Sequence, residues 1–518
     1  MKTFKKVFLG VVTVMAAILL VSIVHHYQLR SAVDHYKAGL KASGEIMELS
    51  QTLPPPVAPE RNGTEILRQA AVLVEGDKSF FESSNDYGFF PACQMVVPGK
   101  ALISFQQPDL RTTTATNSWE QLQAMMGSVR PALDLLAQLP EHPEYDFQLH
   151  YELGWKAYGS FTNLYLVQFR NFNHYLDFGI LLDLHTGNMA EAVKFAQANT
   201  MLVKAVDSQR LVISELVGSA DLSVAERTIW EILQVPAVKD HQLAELQRGL
   251  QELDLLRTHG QALDMERLCE EISLENCRNS NSELHQYLHV GDDAILAMGG
   301  NFDPPSVLKR IKDHADIFLW RYWWTYSDEL KCLPGFKVLK DSLEFARTNQ
   351  NYLRAWARQE TSLEAAGLTN REDWLFGGKP DLPSMLSSSI SELSFSFRRV
   401  VTAETARRIV ITAIALKRFQ LKHDQYPQNL SELVPAFLAP IPVDPMSGEP
   451  LHYRFQSKER FLPYSVGENG IDDGGDPTVP SGVKDASFNW QDRQARDWVW
   501  PQVATPAEIQ NFRDHPPK

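Results

Sequence analysis

The hydrophobic pattern changes character several times along the chain, and each change predicts a different kind of element. Val7 to Val24 is a run of 18 residues without a charge. That length lies at the short end of the roughly 17–25 residues that cross a bilayer core as a helix. From His25 the pattern becomes periodic. Leu29, Val33, Tyr36 and Leu40 repeat at helical spacing and predict a stalk helix over His25 to Leu49 that continues the apolar run. Leu53-Pro54-Pro55-Pro56-Val57-Ala58-Pro59 ends it as a stiff extended spacer. A further helix is predicted near Thr64, with Ile66, Ala70 and Leu73 on one face. Met95-Val96-Val97, the Pro98-Gly99 turn and Ala101-Leu102-Ile103 predict a short hairpin within 94–105.

From about residue 117 the period is helical. Ser118 and Gln121 have the spacing of a capping box. Trp119, Leu122, Met126, Val129, Leu133 and Leu136 then recur at alternating spacings of three and four. Around Gly187-Asn188 an apolar helix turns into a second one bearing Ala190, Val193, Ala196 and Ala198, small residues suited to a close crossing. Amphipathic segments follow at about 208–218, 223–234, 240–277, 306–333 and 337–366. An array of antiparallel helical hairpins accounts for them. The Gly187-Asn188 hairpin resembles one tetratricopeptide-type unit, with Gly187 and Ala192 near the expected positions, but no strict period repeats it.

The pattern changes again after Thr402. Ile409 to Leu416 predicts a helix with a wide buried face, ended by Tyr426-Pro427. Leu430, Leu433 and Val434 predict a helical turn. Pro440, Pro442 and Pro445 force an extended loop. Leu451 to Phe455 and Phe461 to Val466 are two predicted strands, closed by a Gly- and Asp-rich loop. The fold class is therefore mainly α: a transmembrane helix, a large helical array and a small α+β module. The expected division is 1–25 cytoplasmic tip and anchor, 26–60 stalk and Pro-rich linker, and 61–395 helical domain. An α+β module follows over 396–480 and an extended tail over 481–518.

Composition and charge narrow the partners. The chain has 50 Lys+Arg against 64 Asp+Glu, a formal net charge of −14. That balance argues against nucleic acid, whose phosphates demand a cationic footprint. Lys2, Lys5 and Lys6 precede the apolar run, so positive-inside logic places them in the cytoplasm and the remaining chain across the membrane. The run reads as an uncleaved signal anchor. The rival is a cleavable signal peptide, whose apolar region is usually about 7–15 residues and ends in a small-x-small site. Here the run leads into Ile23-Val24-His25-His26. Cys93, Cys269, Cys277 and Cys332 show no C-x-x-C spacing. Cys269 and Cys277 would stand about 12 Å apart along a straight helix, so a disulfide between them needs a bend; buried thiols are the other reading.

The C-terminal module resembles the globular part of the major pseudopilins of bacterial type II secretion systems, relatives of type IV pilins. The resemblance rests on the helix Arg408 to Asp424, Tyr426-Pro427, Leu430-x-x-Leu433 and Pro442-x-Asp444-Pro445. It continues through Gly448, Pro450, Tyr453, Tyr464-Ser465-x-Gly467-x-Asn469-Gly470 and Gly474-Gly475. It implies a calcium ion held in the last loop. Asp472, Asp473 and Asp476 would supply its oxygens, with Asn469 standing where the family has Asp. Calcium wants six to eight such ligands. The alternative for the same residues is a solvated acidic loop of Asx-turns. Two departures separate the chain from a pilin. Its apolar run lies far upstream of the module, and Met15 occupies the position after Gly10 where a processed pilin carries Glu.

Other candidate chemistry is sparse. His285 and His289 fall one helical turn apart, with Asp292 or Asp293 as a third metal ligand, yet Gln286 stands where a zinc protease needs Glu. The alternative is a pair of plain surface or core-edge histidines. Phe318 to Tyr326 is the densest aromatic block. It reads as a core stripe through Leu319, Trp320, Trp323 and Trp324, or as a ligand platform or membrane-interface patch. Glu270-Glu271 and Asp292-Asp293 are adjacent in sequence, so they do not face each other as a catalytic pair. No nucleophile elbow and no phosphate-binding glycine loop is present. The expectation is a single-pass, non-enzymatic bacterial envelope protein of the inner membrane. It would serve as a scaffold or interaction module near a secretion or pilus-like system, with envelope protein partners. The competing expectation is a membrane-tethered, metal-dependent hydrolase with its site in the helical domain.

Overall fold

A computed structural model describes residues 2–74, 92–111, 116–157, 166–288, 315, 317–368, 387–480 and 494–515. It is mainly helical, as the periodicity implies.

Helix α1 (Lys2–Ala42) runs unbroken for 41 residues, about 60 Å, through both the apolar run and the stalk. It stops seven residues short of the expected end, and Gly44 follows at φ +86°, a conformation that favours glycine. Helices α2 (Thr64–Val74) and α3 (Trp119–Leu136) pack together. Ser118 caps α3 as its spacing predicts: its hydroxyl accepts from the Gln121 N–H, and the Gln121 side chain accepts from the Ser118 N–H at 2.8 Å. Helices α4 (Val167–Thr186), α5 (Met189–Asp207) and α6 (Val212–Leu233) form a tightly packed trio. Gly187, at φ +82°, makes the turn between the first two.

The segment expected over 240–277 is two helices, α7 (Asp240–Gln251) and α8 (Leu255–Asn279), because the Asp254 side chain accepts from the Arg257 N–H and starts a new cap. A short α9 (Asn281–Leu288) follows. After a π-helical turn at Trp320–Trp324 comes α10 (Thr325–Asn349), then α11 (Tyr352–Ala365). The expected break near residue 335 does not occur. Pro334 sits inside α10, and Gly335 leaves room for Ile390, whose side-chain carbons would lie 2.8 Å from an added Cβ. The chain turns instead at Gln350, in the left-handed region.

Helix α12 (Ser387–His423) crosses the expected boundary at 396 without interruption. Ile409, Val410, Ala413, Ile414, Ala415 and Leu416 cover more than one side of it and are all buried. It packs against α6, α7, α8 and α10, so the module's helix belongs to the core of the helical body. A single hydrophobic cluster extends from Leu67 to Trp500. Four short strands, β1 (Met95–Val97), β2 (Lys100–Ala101), β3 (Leu110–Arg111) and β4 (Thr116–Asn117), lie before α3. The first two form the expected hairpin. Two longer strands, β5 (His452–Ser457) and β6 (Arg460–Ser465), pair antiparallel close to the expected positions.

The expected extended tail is, over its described part, folded structure. Strand β7 (Trp498–Val499) extends the β5–β6 sheet, and β8 (Gln502–Val503) pairs in parallel with β2. Helix α13 (Pro506–Asp514) then lies against β1, with Glu508 paired to Lys100 at 2.5 Å. The Trp230 indole donates to the Pro501 carbonyl at 2.9 Å and pins this segment to α6. All four cysteines are buried, and none is in a disulfide. Cys269 and Cys277 share the continuous α8, so the bend a bridge requires is missing.

Candidate functional site

Three regions concentrate chemistry: the exit of α1 from its apolar run, the interior of α4–α6, and the acidic loop after β6.

At the exit, one side of α1 meets α10. Ser22 and His26 are half-buried, and Val33 and Leu40 are fully buried on the same face. The contacts advance in parallel. His25 and His26 lie against Trp323, Tyr322 and Tyr326, and the His26 ring nitrogen is 3.2 Å from the Tyr322 carbonyl. Farther along, Lys37 bridges Glu271 at 2.9 Å and Glu329 at 2.6 Å, and Arg278 also pairs with Glu329. Beyond the helix end, Glu45 takes Lys340 at 2.5 Å, which also reaches Asp264 at 2.6 Å. Burial raises the Glu45 carboxyl, but the hydrogen bond and charge of Lys340, with Lys337, outweigh it and hold the group below its ordinary value. The stalk is thereby locked to the body.

The aromatic block divides at this junction. Trp320 is fully buried, with its indole facing Asp328, while Trp323 and Trp324 are half-buried. Phe318, Leu319 and Tyr322 are exposed, and the Phe318 and Tyr322 rings stand 4.8 Å apart. The expected common side for Leu319, Trp320, Trp323 and Trp324 assumed an α period. Leu319 instead stands exposed just before the π turn, while Trp320 enters the core.

The interior of α4–α6 holds acids that sequence reasoning did not single out. Asp207, Glu215 and Asp221 are all buried. Ser214, Glu215, Gly218 and Asp221 share a face of α6, and a Cβ added at Gly218 would stand 2.5 Å from Asp207 Oδ1. Burial, then the Asp221 charge, pushes the Asp207 carboxyl up to about 8. Burial pushes Asp221 up to about 7, against a hydrogen bond from Asn173 and the charge of Arg170. Glu215 is also raised, by burial and by Asp207, although the Thr258 hydroxyl donates to it at 3.2 Å. The signal available in sequence was the acid spacing on α6, but the decisive neighbour sits on α5. These groups are enclosed by packed helices. A cavity of about 160 Å³ lies elsewhere, between α8, α10 and α12, lined by Asp254, Arg347, Tyr352, Glu404 and Arg408. It is smaller than the roughly 300–1,000 Å³ of small-molecule sites.

In the acidic loop the predicted residues are close together, but each already has a partner. Asp472 Oδ1 accepts from the Tyr464 hydroxyl at 3.0 Å and the Gly474 N–H at 2.9 Å. Asp473 accepts from the Asn469 amide at 2.8 Å and from Arg496 at 3.2 Å. Asp476 accepts from the Thr478 N–H at 3.0 Å and faces Arg496 at 3.6 Å. Asn469 thus turns its donor end toward Asp473, and its oxygen accepts from the Ile471 N–H. The residue that closes the loop is Asp497, from the folded tail. Its carboxylate accepts from the N–H groups of Gly475 at 2.7 Å, Asp476 at 3.0 Å and Asp473 at 3.4 Å. As arranged, the carboxylates are turned to protein donors, and the Arg496 guanidinium stands between Asp473 and Asp476. Among the described residues no group of three or more His, Cys, Asp or Glu is placed to hold a metal. His285 is exposed on α9, whereas His289, Asp292 and Asp293 lie outside the described residues.

Compared with protein-family models, curated proteins and solved structures, the chain matches none of them.

Proposed function

We propose that this protein is a single-pass, non-enzymatic scaffold of a bacterial envelope. In this reading α1 is anchored in the inner membrane, and the helical body and C-terminal module lie on the periplasmic side. The observation that carries the reading is the continuity of α1. Its apolar residues from Val12 to Val24 are exposed, while the same helix, two to four turns later, places Val33 and Leu40 in the body's core and Lys37 between two glutamates. A helix that is bare over its apolar run and clamped beyond it suits a rigid mast better than a leader to be removed. We further propose that residues 396–480 are a pseudopilin-like unit built into the body, placing the protein beside a type II secretion or pilus-like machine. The order of α12, the turn at Leu430–Leu433, the Pro-rich loop and the β5–β6 hairpin supports this.

The test is the fate and topology of the full chain in cells. Carbonate-washed membranes should retain it with Met1 intact. Protease added to spheroplasts should degrade the body and spare a tip carrying Lys2 to Lys6. Release by carbonate, or a mature N-terminus beyond Val24, would sink the reading.

A further inference from the structure

The aromatic block at the head of α10 stands where a bilayer surface would be, if α1 spans the membrane as proposed above. The apolar run ends at Val24, and the next residues, His25 and His26, contact Trp323, Tyr322 and Tyr326. The height of the block above the membrane is therefore set by the anchor itself. Its direction is set too. Along α1 the partners on the other helix advance from Trp323 beside His25, to Glu329 beside Lys37, to Lys340 beside Glu45. The two helices run parallel, so residues before Tyr322 point back toward the membrane. Phe318 and Leu319 then lie about one turn, roughly 5 Å, deeper than Tyr322, beside the last turn of the apolar run. The body reaches the edge of that run, because α1 packs against the π turn at Trp320–Trp324 immediately after it.

We infer that Phe318, Leu319 and Tyr322 form a second membrane contact, seated in the interfacial layer of the same leaflet from which α1 emerges. The occupant of this exposed apolar face is the lipid surface, because the face is continuous with the transmembrane helix. A protein partner would have to displace lipid that the anchor already brings there. Phenylalanine and leucine suit the acyl boundary, and tyrosine suits the headgroup level, where its ring is buried and its hydroxyl stays wet. Tyr27, exposed on α1 itself, adds an aromatic ring at the same level. The π turn then has a role. It separates Trp320, which enters the core beside Asp328, from the lipid-facing residues on either side of it. The consequence is orientation: with α1 as one support and this patch as another, the body cannot swing freely about its anchor.

The experiment uses the full chain in vesicles of phosphatidylethanolamine and phosphatidylglycerol that contain doxyl-labelled lipid. A fluorophore is attached to Phe318→Cys, Tyr322→Cys, Leu19→Cys or Lys41→Cys. Lys41 is an exposed reference about 26 Å beyond Val24 on the same helix. The expected result is several-fold stronger lipid quenching at 318 and 322 than at 41, with 318 quenched by deeper probes than 322. Wild-type chain irradiated with a lipid bearing a photoreactive acyl chain should carry adducts within 317–322, a readout that needs no substitution. If Leu19 is quenched while 318 and 322 match Lys41 and the wild-type segment gains no adduct, the contact is overturned and the anchor stands. If Leu19 too remains unquenched, the anchor reading fails and takes this contact with it.

Discussion

Two of the regions that bury acidic side chains differ in what stands opposite the carboxylate. Glu404, on α12, is buried. Burial drives its carboxyl upward, but Arg407 and Arg408 outweigh that and hold it below its ordinary value. Asp207, Glu215 and Asp221, between α5 and α6, are equally enclosed, and at Asp207 and Glu215 burial and the charge of a neighbouring carboxylate act in the same direction. Depth alone therefore does not determine how a buried acid behaves. A cation one turn away converts the same low-dielectric surroundings from a penalty into an attachment.

The largest expected effect is at the paired site. Glu404→Gln keeps the shape and removes the charge. It leaves Arg407, which also donates to the Leu250 carbonyl at 2.6 Å, and Arg408, which donates to the Val443 carbonyl at 2.8 Å, without their shared counter-ion. Breaking a buried pair in this way costs about 3–5 kcal/mol. Equilibrium unfolding in urea measures it, and a loss below about 1 kcal/mol would place the pair in the class of solvated contacts. The pH dependence follows from the lowered carboxyl. The stabilisation is fully present above the unfolded carboxylate range near pH 4 and disappears as pH falls through the depressed folded value.

The opposite sign is expected at the unpaired site. Asp207 holds its proton in the folded state up to about pH 8, whereas the unfolded chain releases it near pH 4. Stability therefore declines as pH rises through that window. Asp207→Asn should reduce that slope, leaving the share carried by Asp221 and Glu215, and gain about 1–3 kcal/mol at the alkaline end, where the enclosed carboxylate would otherwise have to ionise. Thermal midpoints of both proteins across the window provide the check; parallel curves would mean that Asp207 does not titrate there. Gly218 offers a steric control. Gly218→Ala would press a methyl against Asp207 Oδ1, and a loss of about 1–3 kcal/mol independent of pH is expected.

The comparison also explains what could be read from the chain beforehand. Glu404, Arg407 and Arg408 lie three and four residues apart, so local spacing announces the pair. The same is true of the Ser118 capping box, the Gly187 turn and the β5–β6 hairpin, each determined by neighbours in sequence. Asp207 and Asp221 meet across two antiparallel helices, which no local period encodes. The folded tail was hidden for a similar reason. Strands β7 and β8 are two residues each, and the partner of β8 lies some 400 residues earlier, at Lys100–Ala101. At the aromatic block the residues were singled out but not their sides, because a π turn breaks the period used to assign them. Asp497 was missed because it closes the acidic loop from more than twenty residues beyond it.

A smaller effect is expected where pairing is partly solvated. Lys340 is about a quarter exposed and serves Glu45 and Asp264 together. Lys340→Met should leave Glu45 to Lys337, which approaches it at 3.5 Å. Discounted for solvent, the cost is about 1 kcal/mol, and it should shrink with added salt as screening weakens the lost attraction. A salt-independent loss would assign the effect to packing of the lysine stem instead.

The smallest effect tests the acidic loop, where carboxylates meet backbone donors rather than opposed charges. Asp497 receives three N–H groups. Burial raises its carboxyl, and those donors, from Asp476, Gly475 and Asp473, counter it. Asp497→Asn keeps one acceptor oxygen and turns an amide donor toward N–H groups, so a loss of about 1 kcal/mol is expected, confined to this end of the fold. Hydrogen exchange at Gly475 and Asp476 should quicken in the variant. Calcium distinguishes the two ways such a loop can be held. With Arg496 occupying Asp473 and Asp476, millimolar calcium should leave the wild-type unfolding midpoint unchanged. A rise, which would scale with the logarithm of calcium over its dissociation constant, would mean that Arg496 yields its carboxylates to the ion. Arg496→Gln sharpens the choice. If the guanidinium is what excludes calcium, removing it frees two aspartates, and a calcium-dependent midpoint should appear in the variant alone.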